Sequence, residues 1–163
     1  MLSIVEKVLI LKSSPLFSET PDNVLADIAD LVDEITVEKD QVIFNRGDPG
    51  DSLYIIVSGK AEVWESDRLL NSLSEGDLFG ELALLDPEPR LASVKATEST
   101  RLLRLDQAHF HEVLAVRPEV SAAIIRVVTR YLRSQLKYAR EVNEKLRSLE
   151  SFGALSNPSR DSS

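Results

Sequence analysis

The spacing of apolar residues changes twice along the chain, and this change restricts the fold more than any other feature of the sequence. Between residues 3 and 34 apolar side chains recur every three or four positions, which predicts helices, with Thr20 as an N-cap and Pro21 at the first helical position after it. From 35 to 105 the period is two, in short segments separated by turn sequences such as NRGDPGD and SEGD. From Asp106 the helical period returns.

The middle segment contains at least six such short strands and no long helix between them. This pattern favours antiparallel strands that close on themselves, because parallel sheets need helices in their crossover connections. The predicted fold class is mainly β with flanking helices: an antiparallel β-roll, a jelly-roll-like barrel, with N-terminal helices and a long C-terminal helix. The predicted boundaries are 1–34 for the N-terminal helices, 35–105 for the β-roll, 106–150 for the C-terminal helices and 151–163 for a disordered tail.

The predicted C-terminal helices are longer than the β-roll can cover. Asp106 is placed to cap a first helix, and Pro118 to begin a second one that runs to residue 150. Roughly thirty residues of amphipathic helix extend about 45 Å. Two interpretations stay open: a helix that folds back on its own domain, and a homodimer in which the helices 118–150 of two chains form a seam.

Charge and composition exclude several classes of function. The net charge of −8 argues against a general polyanion binder, and it is divided: residues 1–116 hold 10 basic and 22 acidic side chains, whereas 117–150 hold 8 basic and 4 acidic ones. Without cysteine there is no disulfide or thiolate zinc site. The two histidines, His109 and His111, are two apart on a predicted helix and so not on one face, and no metal site is predicted. The sequence has no membrane segment or signal peptide, so we expect a cytoplasmic protein.

The residues best suited to bind a ligand lie in the run from Gly76 to Ala96, GDLFGELALLDPEPRLASVKA. Gly80 allows close approach of the backbone, and the residues after it predict a one-turn helix whose N–H groups face an anion. Arg90 follows ten residues later, and its planar guanidinium suits bidentate capture of a phosphate. Glu81 could accept hydrogen bonds from sugar hydroxyls, although an Arg90–Glu81 ion pair is an alternative interpretation.

FGELALLDPEPRLASVKA resembles the phosphate-binding cassette of the cyclic nucleotide-binding domain family, and IFNRGDPGDSLYIIVSGKAEVW resembles the first half of that family's barrel. The resemblance covers about residues 15–145. It implies a β-roll between helices that binds cAMP or cGMP as a ligand and has no other cofactor. It also implies that Glu81 contacts the ribose 2′-hydroxyl and that Arg90 contacts the phosphate. The implied backbone donors are those of Gly80, Leu82, Ala83 and Ala92.

The resemblance further implies a switch in which Leu84 of the cassette moves against Phe110 of the first C-terminal helix. One position departs from the family pattern, because Leu91 stands where family members usually have Ala, Ser or Thr. Members selective for cGMP can use a Thr hydroxyl there, and leucine offers no hydrogen bond. If Leu91 faces the pocket it favours adenine, and therefore cAMP, or it crowds out any base; if it faces the core it carries no information on the ligand.

The function predicted from these features is regulatory, not enzymatic: the domain senses cAMP and transmits binding through its C-terminal helices. One alternative is a divergent dimerisation module that binds no nucleotide. Another is the sensor part of a transcription regulator or a transporter. The residues that follow Glu150 are too few for a helix-turn-helix, so no DNA-binding module is expected in this chain. An enzyme of the cupin type would need inward-facing histidines that the predicted strands lack.

Overall fold

The computed structural model describes residues 1–80, 82–85 and 88–156, and these form two compact units, Met1–Ile124 and a second unit that begins at Ile125. The helices are α1 (Ile4–Ser13), α2 (Asp22–Leu31), α3 (Leu82–Leu85), α4 (Gln107–Val116) and α5 (Pro118–Ser156). The strands are β1 (Asp33–Val37), β2 (Val42–Phe44), β3 (Ser52–Ser58), β4 (Ala61–Glu65), β5 (Arg68–Leu73), β6 (Leu78–Phe79), β7 (Ser93–Ala96) and β8 (Thr100–Asp106). None of the helices in these ranges combines the length and the hydropathy needed to cross a bilayer.

Two four-stranded antiparallel sheets form the first unit, in the orders β1-β8-β3-β6 and β2-β7-β4-β5. Side chains from both sheets pack in one core between them, because alternate residues of each strand point to the same face. The members of this core are Val37, Tyr54, Ile56, Ala61, Leu73, Phe79, Val94, Ala96 and Leu102. The predicted β-roll with flanking helices and a long C-terminal helix is confirmed.

The central strands β3 and β8 are buried on both faces. Residues of β3 alternate between the inter-sheet core and a second apolar layer, and Leu53 and Ile55 belong to that layer with 1% and 0% of their surface exposed. Helix α3 packs against β3, and α4 packs against β8 and α2. The near-continuous apolar run LYIIV follows from this double burial.

Several predicted boundaries are wrong by a few residues. Helix α2 begins at Asp22 with Pro21 as its N-cap, and the hydroxyl of Thr20 is buried with no hydrogen-bond partner among the described residues, so Thr20 is not the cap. Strand β1 begins at Asp33, because the chain is already extended at Val32. The predicted strand ITVEKDQVIF is two strands, separated by a turn at Asp40 with φ 68°.

The C-terminal helix is also longer than expected. A disordered tail was predicted from residue 151, but α5 continues to Ser156. Residues 157–163 of that tail lie outside the described residues. Residues 151–156 include the helix formers Ala154 and Leu155, and adding a turn to an existing helix avoids the cost of nucleation, which explains the extension.

Candidate functional site

The main chain of Arg90 is fixed to the turn that follows β2. The Arg90 N–H donates to the Asp48 carbonyl at 2.8 Å, and the Gly47 N–H donates to the Arg90 carbonyl at 2.8 Å. The turn is closed by the Asp48 carboxylate, which accepts from the Asn45 N–H at 2.9 Å. Gly47 has φ +87°, a conformation that glycine adopts without strain. The sequence NRGD therefore supplies a preformed support for the arginine backbone.

The guanidinium of Arg90 is buried, with 8% of the residue exposed. Nη2 donates to the Ser52 carbonyl at 2.8 Å, and Nη1 lies 3.5 Å from the Gly80 carbonyl. The cation also lies over aromatic rings, with Cζ 4.1 Å from the Phe44 centroid and 5.9 Å from that of Tyr54. Such cation–π contacts stabilise a charge that has lost part of its water.

No carboxylate within the described ranges forms an ion pair with this cation. Its Nε is buried without a hydrogen-bond partner among the same residues. Burial lowers the pKa of Arg90, and the more distant carboxylates of Asp51 and Asp48 oppose that shift. The side chain therefore carries a positive charge that is only partly compensated, which is the electrostatic requirement for holding an anion.

Two glycines make room for the guanidinium. A Cβ at Gly50 would lie 2.9 Å from the Glu88 carbonyl and 3.0 Å from Arg90 Nε. A Cβ at Gly80, which has φ +75°, would lie 2.7 Å from Arg90 Nη1 and 3.0 Å from the Ser52 carbonyl. These distances are shorter than ordinary van der Waals contact, so any larger residue at either position must displace the arginine or the backbone beside it.

A cavity of about 190 Å³ adjoins the arginine. Its lining is mainly apolar and comprises Phe44, Val63, Phe79, Gly80, Ala83, Glu88, Pro89, Arg90, Leu91, Ala92 and Val94. Five of the predicted ligand-binding residues thus lie around one space: Gly80, Ala83, Arg90, Leu91 and Ala92. A mainly apolar pocket with one convergent cation is suited to a ligand that has a flat apolar part and an anionic group.

Two further predicted residues are described less fully. Glu81 lies outside the described residues, and so do both of its predicted interactions, the ribose contact and the ion pair with Arg90. Leu82 begins α3, and its side chain is likewise not described. No group of three or more His, Asp or Glu side chains in the described part of the chain is arranged to hold a metal.

Comparison with known proteins identifies this architecture. Residues 34–117 match the sequence profile of the cyclic nucleotide-binding domain. The chain belongs to the cyclic nucleotide-binding domain family. A relative in Mycobacterium tuberculosis, described as a CRP-like cAMP-activated global transcriptional regulator, is 31% identical over 129 residues, which are 76% of this chain and 58% of the relative. The chain therefore spans little more than half the length of that curated relative.

Solved structures of the family have the same fold. The N-terminal domain of a transcriptional regulator from Streptomyces coelicolor superposes with a TM-score of 0.73 at 35% identity and covers 77% of this chain and 92% of its own. The regulatory domain of Toxoplasma gondii PKA, solved with cAMP, gives 0.63 at 29% identity and covers 68% of this chain and 44% of its own. These relatives of the cyclic nucleotide-binding domain are regulatory and not catalytic. The prediction that the chain is not an enzyme is confirmed on this basis.

The surroundings of several predicted cassette and switch residues could be read only from the structure. The Ala83 N–H, an expected ligand donor, already donates to the Gly80 carbonyl at 3.2 Å. Leu91 does not face the core: it is 77% exposed and lines the cavity. The expected switch residues Leu84 and Phe110 are both fully buried, α3 packs against α4, and the Phe110 ring meets Phe17 edge-on at 6.4 Å.

Sequence reasoning missed the residues that surround the arginine from the opposite side. Phe44, Ser52 and Tyr54 belong to β2 and β3, and they reach Arg90 across 36 to 46 positions of the chain. The available signal was the turn NRGDPGD between two strands, because a turn that joins strands of different sheets lies at the rim of the β-roll. Nothing in the local pattern of β3 distinguishes Tyr54 from an ordinary core aromatic.

Proposed function

We propose that this chain is a regulatory domain that binds cAMP in the cavity beside Arg90 and transmits binding through its C-terminal helices. The observation that carries the proposal is the buried guanidinium of Arg90, which is held by carbonyls and aromatic rings and has no carboxylate partner within the described residues. The cyclic phosphate of cAMP supplies one negative charge and acceptor oxygens for this cation. The cAMP named in the descriptions of the relatives also supports it.

The apolar lining provides the surface for the ribose and the base. Leu91 and Ala92 lie next to the arginine in the sequence and line the same cavity, and neither offers a side-chain hydrogen bond to a guanine amino group. We therefore favour cAMP over cGMP as the ligand. Glu81 is proposed as the acceptor for the ribose 2′-hydroxyl, by its position next to Gly80 in the sequence.

Calorimetric titration of cAMP into the wild type and into Arg90→Ala tests the proposal. Removing the guanidinium should cost about 2 to 5 kcal/mol of binding, because the phosphate charge is then buried unpaired. This is at least a tenfold loss of affinity by the ~1.4 kcal/mol that each factor of ten represents. Arg46→Ala is a matched control, since Arg46 is close in the structure to the same turn but its side chain is 54% exposed. Equal cAMP affinities of the wild type and Arg90→Ala would refute the proposal that Arg90 binds the phosphate.

A second proposal concerns the homodimer. Helix α5 carries apolar side chains at spacings of three, four and seven, and they are exposed: Ile125, Leu132, Leu136, Ala139, Val142, Leu146 and Leu149. Such a stripe is typical of a two-helix seam. We propose that two chains pair through residues 118–150. The paired helices would then transmit ligand binding from one domain to its partner. Sedimentation should show a dimer for the wild type and a monomer for Leu132→Glu/Leu146→Glu, and a monomeric wild type at micromolar concentration would refute the seam.

A domain that dimerises and binds no nucleotide is the alternative that this helix favours. It predicts a wild-type dimer with no calorimetric response to cAMP or cGMP. The location in the cytoplasm stays a prediction, consistent with a role in reading an intracellular nucleotide.

A further inference from the structure

Ser52 makes two contacts that join the arginine site to the C-terminal helices. Its carbonyl accepts the hydrogen bond from Arg90 Nη2 at 2.8 Å. Its hydroxyl lies 2.7 Å from a carboxylate oxygen of Asp106 and 2.9 Å from one of Asp51. Ser52 and Asp106 are also paired in register at the end of the β3·β8 ladder. The residue is 3% exposed, so water does not compete for these contacts.

Asp106 is the residue that immediately precedes α4. It occupies the N-cap position with extended backbone angles, φ −80° and ψ 147°, but its side chain makes no hydrogen bond to the helix. The carboxylate is instead held by the Ser52 hydroxyl and by an ion pair with Arg104 at 3.2 Å. An aspartate at this position ordinarily accepts from the second or third N–H of its helix. The Asp106 side chain therefore has two alternative sets of partners.

The start of α4 is also joined by a backbone hydrogen bond to the residue that precedes β3. The Gln107 N–H donates to the Asp51 carbonyl at 2.7 Å, next to the Ser52 contact. A change in the position of Ser52 consequently reaches the first turn of α4 through both the main chain and the Asp106 side chain.

We propose that Ser52 is a positioning residue that couples anion binding at Arg90 to the capping of α4 by Asp106, an inference that rests on the proposed function. An anion in the cavity competes with the Ser52 carbonyl for the guanidinium donors of Arg90. When Ser52 is released from the arginine, its hydroxyl releases the Asp106 carboxylate, which then keeps only the ion pair with Arg104 and turns to accept from the N–H groups of Ala108 and His109. The ligand thereby favours the state in which the first turn of α4 is capped.

Hydrogen exchange of the α4 amides with and without cAMP tests this coupling, with calorimetry on the same samples. In the wild type, cAMP should slow exchange of the Ala108 and His109 amides about fivefold, the effect of one added cap hydrogen bond. Ser52→Ala keeps the backbone carbonyl and Arg90, so it should still bind cAMP. Its Asp106 has lost the buried Ser52 hydroxyl and keeps only the ion pair with Arg104 as a competitor of the cap, so these amides should be protected without ligand and change less than about twofold when cAMP binds.

Three variants complete the experiment. Ser58→Ala, at the other end of β3, should behave as the wild type, and Ser52→Thr, which keeps a hydroxyl, should restore the response. Asp106→Ala should bind cAMP, and the amides of the first turn of α4 should exchange fast both with and without the ligand. This variant tests the coupling between Ser52 and Asp106 even if Ser52→Ala does not fold. A full cAMP response in Ser52→Ala or in Asp106→Ala overturns the inference and leaves the proposed function standing. A wild type that gives no binding heat with cAMP refutes the proposed function, and the inference falls with it.

Discussion

Gly80 gives the most direct test of how the arginine site is built, because two separate costs of substituting it can be read from its geometry. Its φ of +75° strains any L-residue, and a Cβ there would lie 2.7 Å from Arg90 Nη1 and 3.0 Å from the Ser52 carbonyl. Gly76 has a similar φ of +89°, but apart from its chain neighbours no atom in the described part of the chain lies within 4 Å of the corresponding Cβ position. Gly76→Ala therefore reproduces the backbone strain of Gly80→Ala without the collision.

The expected magnitudes follow from these two costs. Gly76→Ala should lower the free energy of unfolding by about 1 to 2 kcal/mol, the penalty of the left-handed region. Gly80→Ala should lose a further ~1 to 3 kcal/mol, the usual cost of forcing atoms into a packed site. At roughly 2 to 4 °C per kcal/mol for a domain of this size, the melting temperatures of the two variants should differ by several degrees.

Ligand binding separates the two variants more sharply. Gly80→Ala pushes the guanidinium out of its position, so we expect a loss of cAMP affinity comparable to that of Arg90→Ala, whereas Gly76→Ala should bind as the wild type. The double variant Gly80→Ala/Arg90→Ala should be less destabilised than the sum of the two single variants, because the atom nearest the new Cβ is gone. Equal melting temperatures and equal affinities for Gly80→Ala and Gly76→Ala would refute the role assigned to this glycine.

Two further predictions concern buried aromatic rings. Phe110→Ala removes a fully buried ring that packs edge-on against Phe17, so it should cost about 3 to 5 kcal/mol, and a fall of less than 5 °C in the thermal midpoint would contradict that packing. Burial raises the pKa of Tyr54 above 10.0, and the Arg90 charge only partly opposes this. Below pH 10 the Tyr54 hydroxyl keeps its proton in both the folded and the unfolded state, whereas above pH 10 the unfolded state ionises first. The free energy of unfolding of the wild type, measured by urea titration, should therefore fall relative to that of Tyr54→Phe as the pH rises from 10.

The elements of the fold were predictable where one periodicity persists. The seven-residue strands β3 and β8, bounded by turn sequences, and the helical spacing in α5 are long enough to identify those elements, and the motif around Arg90 located the cavity. Two predicted caps failed for different reasons. Helix α2 begins one residue late because Pro21 has an extended ψ of 147° and therefore occupies the cap position itself. Asp106 occupies its expected cap position, but Ser52 and Arg104 compete successfully for its carboxylate.

The parts of the site that could not be predicted depend on contacts between distant segments. Strand β6 has two residues, too few for an alternation, and it is defined only by pairing with Tyr54 and Ile55. The carbonyl of Ser52 that orients Arg90 is a backbone group, which every residue possesses, so no residue type at that position signals it. The exposure of Leu91 likewise depends on the path of the chain around the cavity.

The two hydrogen bonds between Arg90 and the turn at Gly47 and Asp48 bear on how such a site can change over evolution. The nine residues between Gly80 and Arg90 are fastened at one end by β6 and at the other by this pair of bonds. We expect substitutions at exposed positions between these two points to leave the backbone of the anchoring arginine where it is. The segment can therefore acquire a new ligand preference or a new contact surface while the charge that holds the anion is inherited unchanged.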